Sequence, residues 1–244
     1  GCAFRSNSDT EVLLKAYQTW GTKCLDRFVG MFAFAIWDRR KKRLFMARDR
    51  VGVKPLYYYW DNQTLLFASE IKAIHKLSFG TKDIDYDALS LYFHYQYIPT
   101  PLSIFKHVYK LEAGHFALLS HERLSIHKYW EIPKWKQKIE KDNSDLGQNV
   151  ETLDHILTTA VTDSLVSDVP IGALLSGGID SSLIVSIMQN VCDHRVKTYS
   201  IGNSDSAYDE APWAARIANH LGTDHTELYI TPEDALELIP SVAD

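Results

Sequence analysis

The chain has 244 residues, with 26 lysines and arginines against 31 aspartates and glutamates, a net charge of −5. Its apolar fraction of 45% and charged fraction of 23% are those of an ordinary globular chain, and at about 150 residues per domain it holds one large core or two small ones. These values exclude a disordered chain, a general nucleic-acid binder, which needs a basic face, and a membrane-spanning helix, since Met31–Trp37 is the longest apolar run and a span takes about 18 residues.

Residues 1–133 read as short strands interleaved with helices. A helical patch covers Thr10–Trp20 and stops at Gly21. The apolar run Met31–Trp37 is followed, across the charged turn Asp38-Arg39-Arg40-Lys41-Lys42, by a strand at Arg43–Met46. Leu56–Trp60 and Leu65–Ala68 flank Asp61-Asn62-Gln63-Thr64 as a hairpin. A second helix covers Tyr86–Tyr92, and Phe116–Leu119 with Leu124–Ile126 make a further hairpin. Antiparallel pairs with helices predict a layered α+β domain. Residues 134–149 turn polar and charged, with Trp135 and Leu146 isolated, and read as a linker.

Residues 150–244 alternate strand and helix. A helical stripe runs from Val150 to Leu165, and Val169–Leu175 reads as a buried parallel strand. A helix through Leu183 and Met188, a strand at Val196–Ile201, a helix from Pro212 to Leu221 closed by Gly222, a strand at His225–Ile230 and a helix from Thr231 follow. Strands separated by helices predict crossovers, hence α/β architecture with a parallel, doubly wound sheet.

The strongest chemical signal is Ser176-Gly177-Gly178-Ile179-Asp180-Ser181-Ser182, set between a strand and a helix. Gly177 and Gly178 let the backbone approach an anion, and successive N–H groups at a helix start hold phosphate oxygens. Ser176, Ser181 and Ser182 add hydroxyls. Asp180 repels bare phosphates, so its natural partner is a Mg²⁺ bridging to them. No G-x-x-x-x-G-K-[ST] pattern is present, so this is not the loop of P-loop NTPases.

The loop resembles the pyrophosphate loop of N-type ATP pyrophosphatases, and the chain as a whole resembles a glutamine-dependent asparagine synthetase. The matching stretches include Ser8-Asp9-Thr10-Glu11, Gly30-Met31-Phe32-Ala33-Phe34, Arg48-Asp49-Arg50-Val51-Gly52 with Lys54-Pro55-Leu56-Tyr57, Ala68-Ser69-Glu70-Ile71-Lys72-Ala73 and Tyr129-Trp130. In the second part they are Ser167-Asp168-Val169-Pro170, the loop, Tyr208-Asp209-Glu210 and His220-Leu221-Gly222-Thr223. Glu112-Ala113 stands where the family more usually has Pro-Pro before Gly114, which puts only a turn in doubt.

The resemblance implies the back of an N-terminal-nucleophile (αββα) glutaminase domain over residues 1–133, a linker over 134–149, and the front of an adenine-nucleotide α-hydrolase-like synthetase domain over 150–244. It implies ammonia made from glutamine, aspartate activated by ATP as β-aspartyl-AMP, and asparagine, AMP and pyrophosphate as products. ATP and Mg²⁺ are the implied cofactors, and glutamine and aspartate the substrates. No nucleic-acid or membrane partner is expected, and a homodimer is compatible with the reading. Members of the family that act on surface sugars or form β-lactams share the loop, so another acceptor carboxylate stays open, as does an inert nucleotide-binding module. The chain starts at Gly1 and stops at Asp244 inside an expected helix. The glutaminase nucleophile and the later synthetase residues have no counterpart, so a fragment inactive alone is expected.

Residue by residue, the resemblance places Asp180 on the Mg²⁺–pyrophosphate, with Ser176, Gly177, Gly178, Ser181 and Ser182 around it, and Leu174 and Ile201 against the nucleotide. Read alone, Leu174 and Ile201 are sheet core. Asp9 matches the carboxylate that grips the α-amino group of glutamine, whereas Ser8-x-x-Glu11 reads locally as a capping box with Asp9 at a helix start. Cys2 precedes a stretch matching the late glutaminase domain and is not the nucleophile. Cys2, Cys24 and Cys192 form no C-x-x-C pair; with no signal-peptide pattern they fit a reducing, cytoplasmic setting. His115, His121 and His127 lack a completing ligand for a metal, and His225 reads as structural. Tyr208-Asp209-Glu210 is either site or charge at a helix start.

Overall fold

The computed structural model describes residues 3–77, 82–133, 145–203 and 209–242, and the chain divides into two compact units, Gly1–Gln137 and Lys138–Asp244.

In the first unit, helix α1 (Asp9–Trp20) starts where Ser8 Oγ accepts from the Thr10 amide at 3.2 Å, and it ends at Gly21. A 3₁₀ turn, Gly21–Arg27, leads to strand β1 (Ala33–Asp38), which pairs antiparallel with β2 (Arg43–Arg48). Strands β3 (Tyr57–Trp60) and β4 (Leu65–Ala68) make the expected hairpin. Asp61 Oδ1 fixes its turn by accepting from the amides of Gln63 (2.9 Å) and Thr64 (2.7 Å). Helices α2 (Ile71–His75) and α3 (Tyr86–Tyr95), strand β5 (Val108–Lys110) and the hairpin of β6 (His115–Ser120) and β7 (Arg123–Lys128) complete the unit. The helix expected over Tyr86–Tyr92 runs on to Tyr95 because Gln96, in the left-handed region, closes it. The 3₁₀ turn, α2 and β5 are too short to show a hydrophobic period, so the sequence pattern misses them.

The strand orders are β1-β2-β6-β7 and β4-β3-β5. Alternation along β2 sets the layers. Phe45 and Ala47 pack with Tyr17, Leu25 and Ile36 beneath α1, while Met46 points the other way, onto Tyr58 of the second sheet and onto Leu56 and Leu111, which flank its strands. The far side of that sheet puts Tyr59 and Val108 against Ile74 of α2. The layers therefore run helix, sheet, sheet, helix. The turn at Gly114 forms despite Glu112-Ala113: Gly114 has φ 66° and its amide donates to Asp49 O at 2.9 Å.

In the second unit, helix α4 (Leu146–Ser164) begins at Leu146 rather than Val150, inside the stretch expected to be linker. Asp145 caps it through the Gly147 amide at 3.1 Å, and its first turn holds one isolated apolar residue, the exposed Leu146, which sets no period. Residues 134–144, with Trp135, lie outside the described residues. Then come β8 (Gly172–Leu174), α5 (Ile179–Val191), β9 (Lys197–Asn203), α6 (Ala211–Leu221), β10 (Asp224–Ile230) and α7 (Pro232–Val242). The three strands are parallel, in the order β10-β9-β8.

Two expectations need correction here. The buried strand over Val169–Leu175 is three residues long, and Leu174 at its end is 77% exposed. The winding also differs: among the described residues α4, α5 and α6 pack on one face of the sheet, through Val161, Ile187 and Val196 and through Leu175, Val185 and Ala214. For α5 and α6 the reason is topological, and α4 joins them by packing on α5. Both crossovers, β8 to β9 and β9 to β10, step the same way across the sheet, and right-handed crossovers in one direction put their helices on one face. A crossover helix on the other face needs a reversal of step, and the described strands contain none. Among the described residues no helix is long and apolar enough to cross a membrane.

Candidate functional sites

Strand β8 ends at Leu174 and α5 starts at Ile179, so the chain reverses within a few residues. The Leu175 amide donates to Tyr199 O at 2.8 Å, which pins the strand end to β9. Beyond it the loop binds itself. Ser176 Oγ and Ser181 Oγ lie 3.0 Å apart, the Gly178 amide donates to Ser176 Oγ at 3.3 Å, and the Ser176 amide donates to Ser181 Oγ at 3.3 Å. Gly177 takes φ 78°, and a Cβ there would lie 2.8 Å from Trp213 Cβ and 2.9 Å from Ala214 N. Only glycine combines that conformation with such close backbone packing.

Two features suit this turn to an anion. Ser182 Oγ is buried and has no hydrogen-bond partner among the described residues, and a buried hydroxyl left unpaired is costly. The amides at the start of α5, a helix of 13 residues, present the positive end of its dipole. Asp180 stands exposed in the first turn of α5. Among the described residues no group of three His, Cys, Asp or Glu could hold a metal ion. A cation at Asp180 would therefore complete its shell with phosphate oxygens and water, as Mg²⁺ commonly does.

Leu174 and Ile201 are not sheet core: they are 77% and 58% exposed. Leu174 pairs with Tyr199, and Ile201 lies two residues further along β9, so both occupy the open face towards the carboxyl ends of the strands. Ligands in such sheets bind at that end.

In the first unit, Asp9 is the first residue of α1 and is exposed. The capping box is not made as expected. Ser8 Oγ takes the Thr10 amide, and the Glu11 carboxylate turns back to the Arg5 and Ser6 amides at 3.0 and 2.8 Å instead of the Ser8 amide. Asp9 is thus not needed as a cap. Among the described residues its Oδ1 meets the hydroxyls of Ser8 (3.5 Å) and Thr10 (3.3 Å). It lies on the wall of a cavity of about 540 Å³ lined also by Leu13, Phe28, Phe32 and Lys54. The wall is mostly apolar but also carries Thr10, Ser69 and the cation of Lys54, so Asp9 is its one carboxylate among the described residues and the group on it that suits an ammonium.

Sequence reasoning passed over the role of Arg48 and Asp49. The Arg48 guanidinium donates to the carbonyls of Lys54 (2.8 Å), Leu111 (2.7 Å) and Gly52 (2.7 Å). Asp49 is 1% exposed and accepts from the amides of Val53 (2.9 Å), Lys54 (2.9 Å) and Phe32 (3.3 Å). Burial opposes its charge, but these donors, with Gly52, outweigh it and hold the carboxyl below its ordinary value. Together the pair locks the loop that carries Lys54 to the cavity wall. The signal available was a charged Arg-Asp-Arg run closing an apolar strand.

Burial pushes the Cys24 thiol up to about 11, which keeps it protonated and unreactive. Cys2 and Tyr208 lie outside the described residues. His225 is held by Thr198 Oγ1 (2.9 Å) and Ser200 Oγ (3.2 Å) between β9 and β10.

Comparison with known proteins shows two matches in tandem. Residues 1–130 match the glutamine amidotransferase domain family, and residues 152–244 match asparagine synthase. The chain is 40% identical over 239 residues to a putative asparagine synthetase (glutamine-hydrolyzing) 2 of Methanocaldococcus jannaschii, covering 96% of this chain and 45% of that protein. It is 36% identical over 252 aligned positions to asparagine synthetase (glutamine-hydrolyzing) 3 of Bacillus subtilis, covering 97% of this chain and 40% of that protein. A fungal relative, amidase chry2 of Gibberella zeae, is 32% identical over 236 residues, with 91% of this chain and 34% of that protein covered. The chain thus spans less than half the length of these relatives.

Proposed function

The chain belongs to the glutamine amidotransferase domain family, with an asparagine synthase match after it, and from that premise we propose that it serves a glutamine-hydrolysing asparagine synthetase, with glutamine bound by the first unit and Mg²⁺-ATP by the second. The observation that carries the nucleotide half of this reading is the Ser176–Ser182 turn, with its unpartnered buried Ser182 hydroxyl and its Gly177 backbone seated on α6.

A carboxylate is a poor electrophile. ATP, as co-substrate, supplies the adenylyl group that makes β-aspartyl-AMP, and ammonia from glutamine then gives asparagine and AMP. In this scheme the amides of Gly178 and its neighbours and the hydroxyls of Ser176, Ser181 and Ser182 hold the pyrophosphate as it leaves. Asp180 would hold a Mg²⁺, which when bound would offset the charge of the pyrophosphate, and charge stabilisation of this kind is the main catalytic contribution of such sites. Leu174 and Ile201 give the nucleotide an apolar bed. Asp9 holds the ammonium of glutamine. Aspartate as acceptor follows the names of the relatives.

Titration of the chain with ATP tests the second unit. Binding is expected to require Mg²⁺, and Asp180→Ala is expected to weaken it by about ten-fold or more. Equal affinity of wild type and variant would remove Asp180 from the site. For the first unit, Asp9→Ala is expected to weaken L-glutamine binding by about ten-fold or more, the value of a lost charge-assisted contact. An analogue without the α-amino group should bind both proteins alike. If the variant weakens the analogue as much as glutamine, Asp9 does not grip the ammonium.

A further inference from the structure

We propose that Asp209 is a positioning residue for the Gly177 turn, acting through the first turn of α6. Its bearing on nucleotide affinity rests on the reading of that turn as the phosphate site, whereas its mechanical role does not.

Asp209 Oδ1 accepts from the Ala211 amide at 3.1 Å and from the Asn203 amide at 3.3 Å. One carboxylate oxygen thus ties the last residue of β9 to the first residue of α6. Among the described residues Glu210, at the capping position of α6, makes no side-chain capping bond, and Asp209 fills that role from one residue earlier. The amides of Trp213 and Ala214 then donate to Glu210 O at 3.1 and 3.0 Å. This is the stretch of backbone that Gly177 rests on: a Cβ at Gly177 would lie 2.9 Å from both Ala214 N and Trp213 C. Ala211 and Ala214 are fully buried, so the turn is seated from beneath. Packing this close leaves no slack, and a shift of the α6 start must displace the Gly177 peptide.

The path needs an acceptor at one place, not a charge. Asparagine can supply that oxygen at the same reach. Glutamate keeps the charge but moves the oxygen by one methylene, and alanine removes it.

The test is amide hydrogen exchange over Ser176–Ser182 in the full 244-residue chain, paired with Mg²⁺-ATP titration. D209A and D209E are expected to speed exchange of that stretch by about ten-fold and weaken Mg²⁺-ATP affinity by a similar factor, as loss of a helix cap implies. D209N is expected to stay within about two-fold of wild type in both, with the same Mg²⁺ dependence. Unchanged exchange in D209E and D209A overturns the proposal whatever happens to ATP. So does a D209N protein as weak as D209E, or one with a raised Mg²⁺ requirement, since the charge itself would then act. If D209A fails to fold, the contrast of D209N with D209E decides. If wild type binds no Mg²⁺-ATP, the nucleotide reading fails, and exchange alone still decides the role of Asp209.

Discussion

Asp49→Ala is expected to destabilise the first unit by about 3–5 kcal/mol, because it takes the acceptor from three part-buried amides, each worth about 1–3 kcal/mol when left unpaired. The amides of Val53, Lys54 and Phe32 all end on this carboxylate, and the residue is 1% exposed. Water reaches such a place poorly, so relief is incomplete. Against a typical domain stability of about 5–15 kcal/mol, that loss brings the unit close to unfolding. Asp49→Asn keeps an acceptor but adds an N–H facing donors, so a smaller loss of about 1–2 kcal/mol is expected. Urea unfolding measures both, and a loss below about 1 kcal/mol in Asp49→Ala would sink the account.

The same residue gives a pH signature. Its carboxyl lies below the ordinary value of 3.8 in the folded state because the amide donors together outweigh the burial that opposes its charge. A depressed folded value means the stabilisation is complete above the unfolded value and fades as pH falls through the folded one. Stability of the wild-type unit should therefore drop below about pH 4. The Asp49→Asn protein should lack that component of the acid loss.

Gly177→Ala carries the second large effect. At φ 78° an alanine is strained by about 1–2 kcal/mol, and its Cβ would press on backbone atoms of Trp213 and Ala214 at 2.9 Å. Overpacking of this kind costs about 1–3 kcal/mol more. Melting of the second unit is expected to fall by several degrees, and Mg²⁺-ATP affinity by about a hundred-fold or more, since the strain is relieved only by moving the turn. Gly178→Ala is the control. Gly178 sits outside the left-handed region, and its added Cβ would meet only Ser176 Oγ, at 3.3 Å. It should melt like wild type. A Gly177→Ala protein that melts and binds like wild type would mean the turn is not held by α6.

Much of the local structure could be read in the residues. The α1 start at Ser8, the hairpins around Asp61 and His121, the glycine ends at Gly21 and Gly222 and the glycine turn after β8 follow from caps, alternation and left-handed positions. These are short-range preferences that the chain carries wherever it folds. Other features escaped. The start of α4 hid behind polar residues whose helical state depends on the Asp145 cap. Glu11 bypassed the capping box because the chain before α1 folds back to offer the Arg5 and Ser6 amides. Leu174 and Ile201 look like core by type, yet face the open side of the sheet.

By itself the sequence determined which residue types meet in the glycine loop, and so the chemistry open to it: amides, hydroxyls and one carboxylate before a helix. It also set strand alternation and hence which side chains share a face. Tertiary structure alone decided that Gly177 lies on the first turn of α6, that Asp49 together with Arg48 locks the loop bearing Lys54, and that α4, α5 and α6 share one face of the sheet. Those outcomes depend on contacts between residues far apart in the chain and on the direction in which successive crossovers step, and neither leaves a trace in local composition.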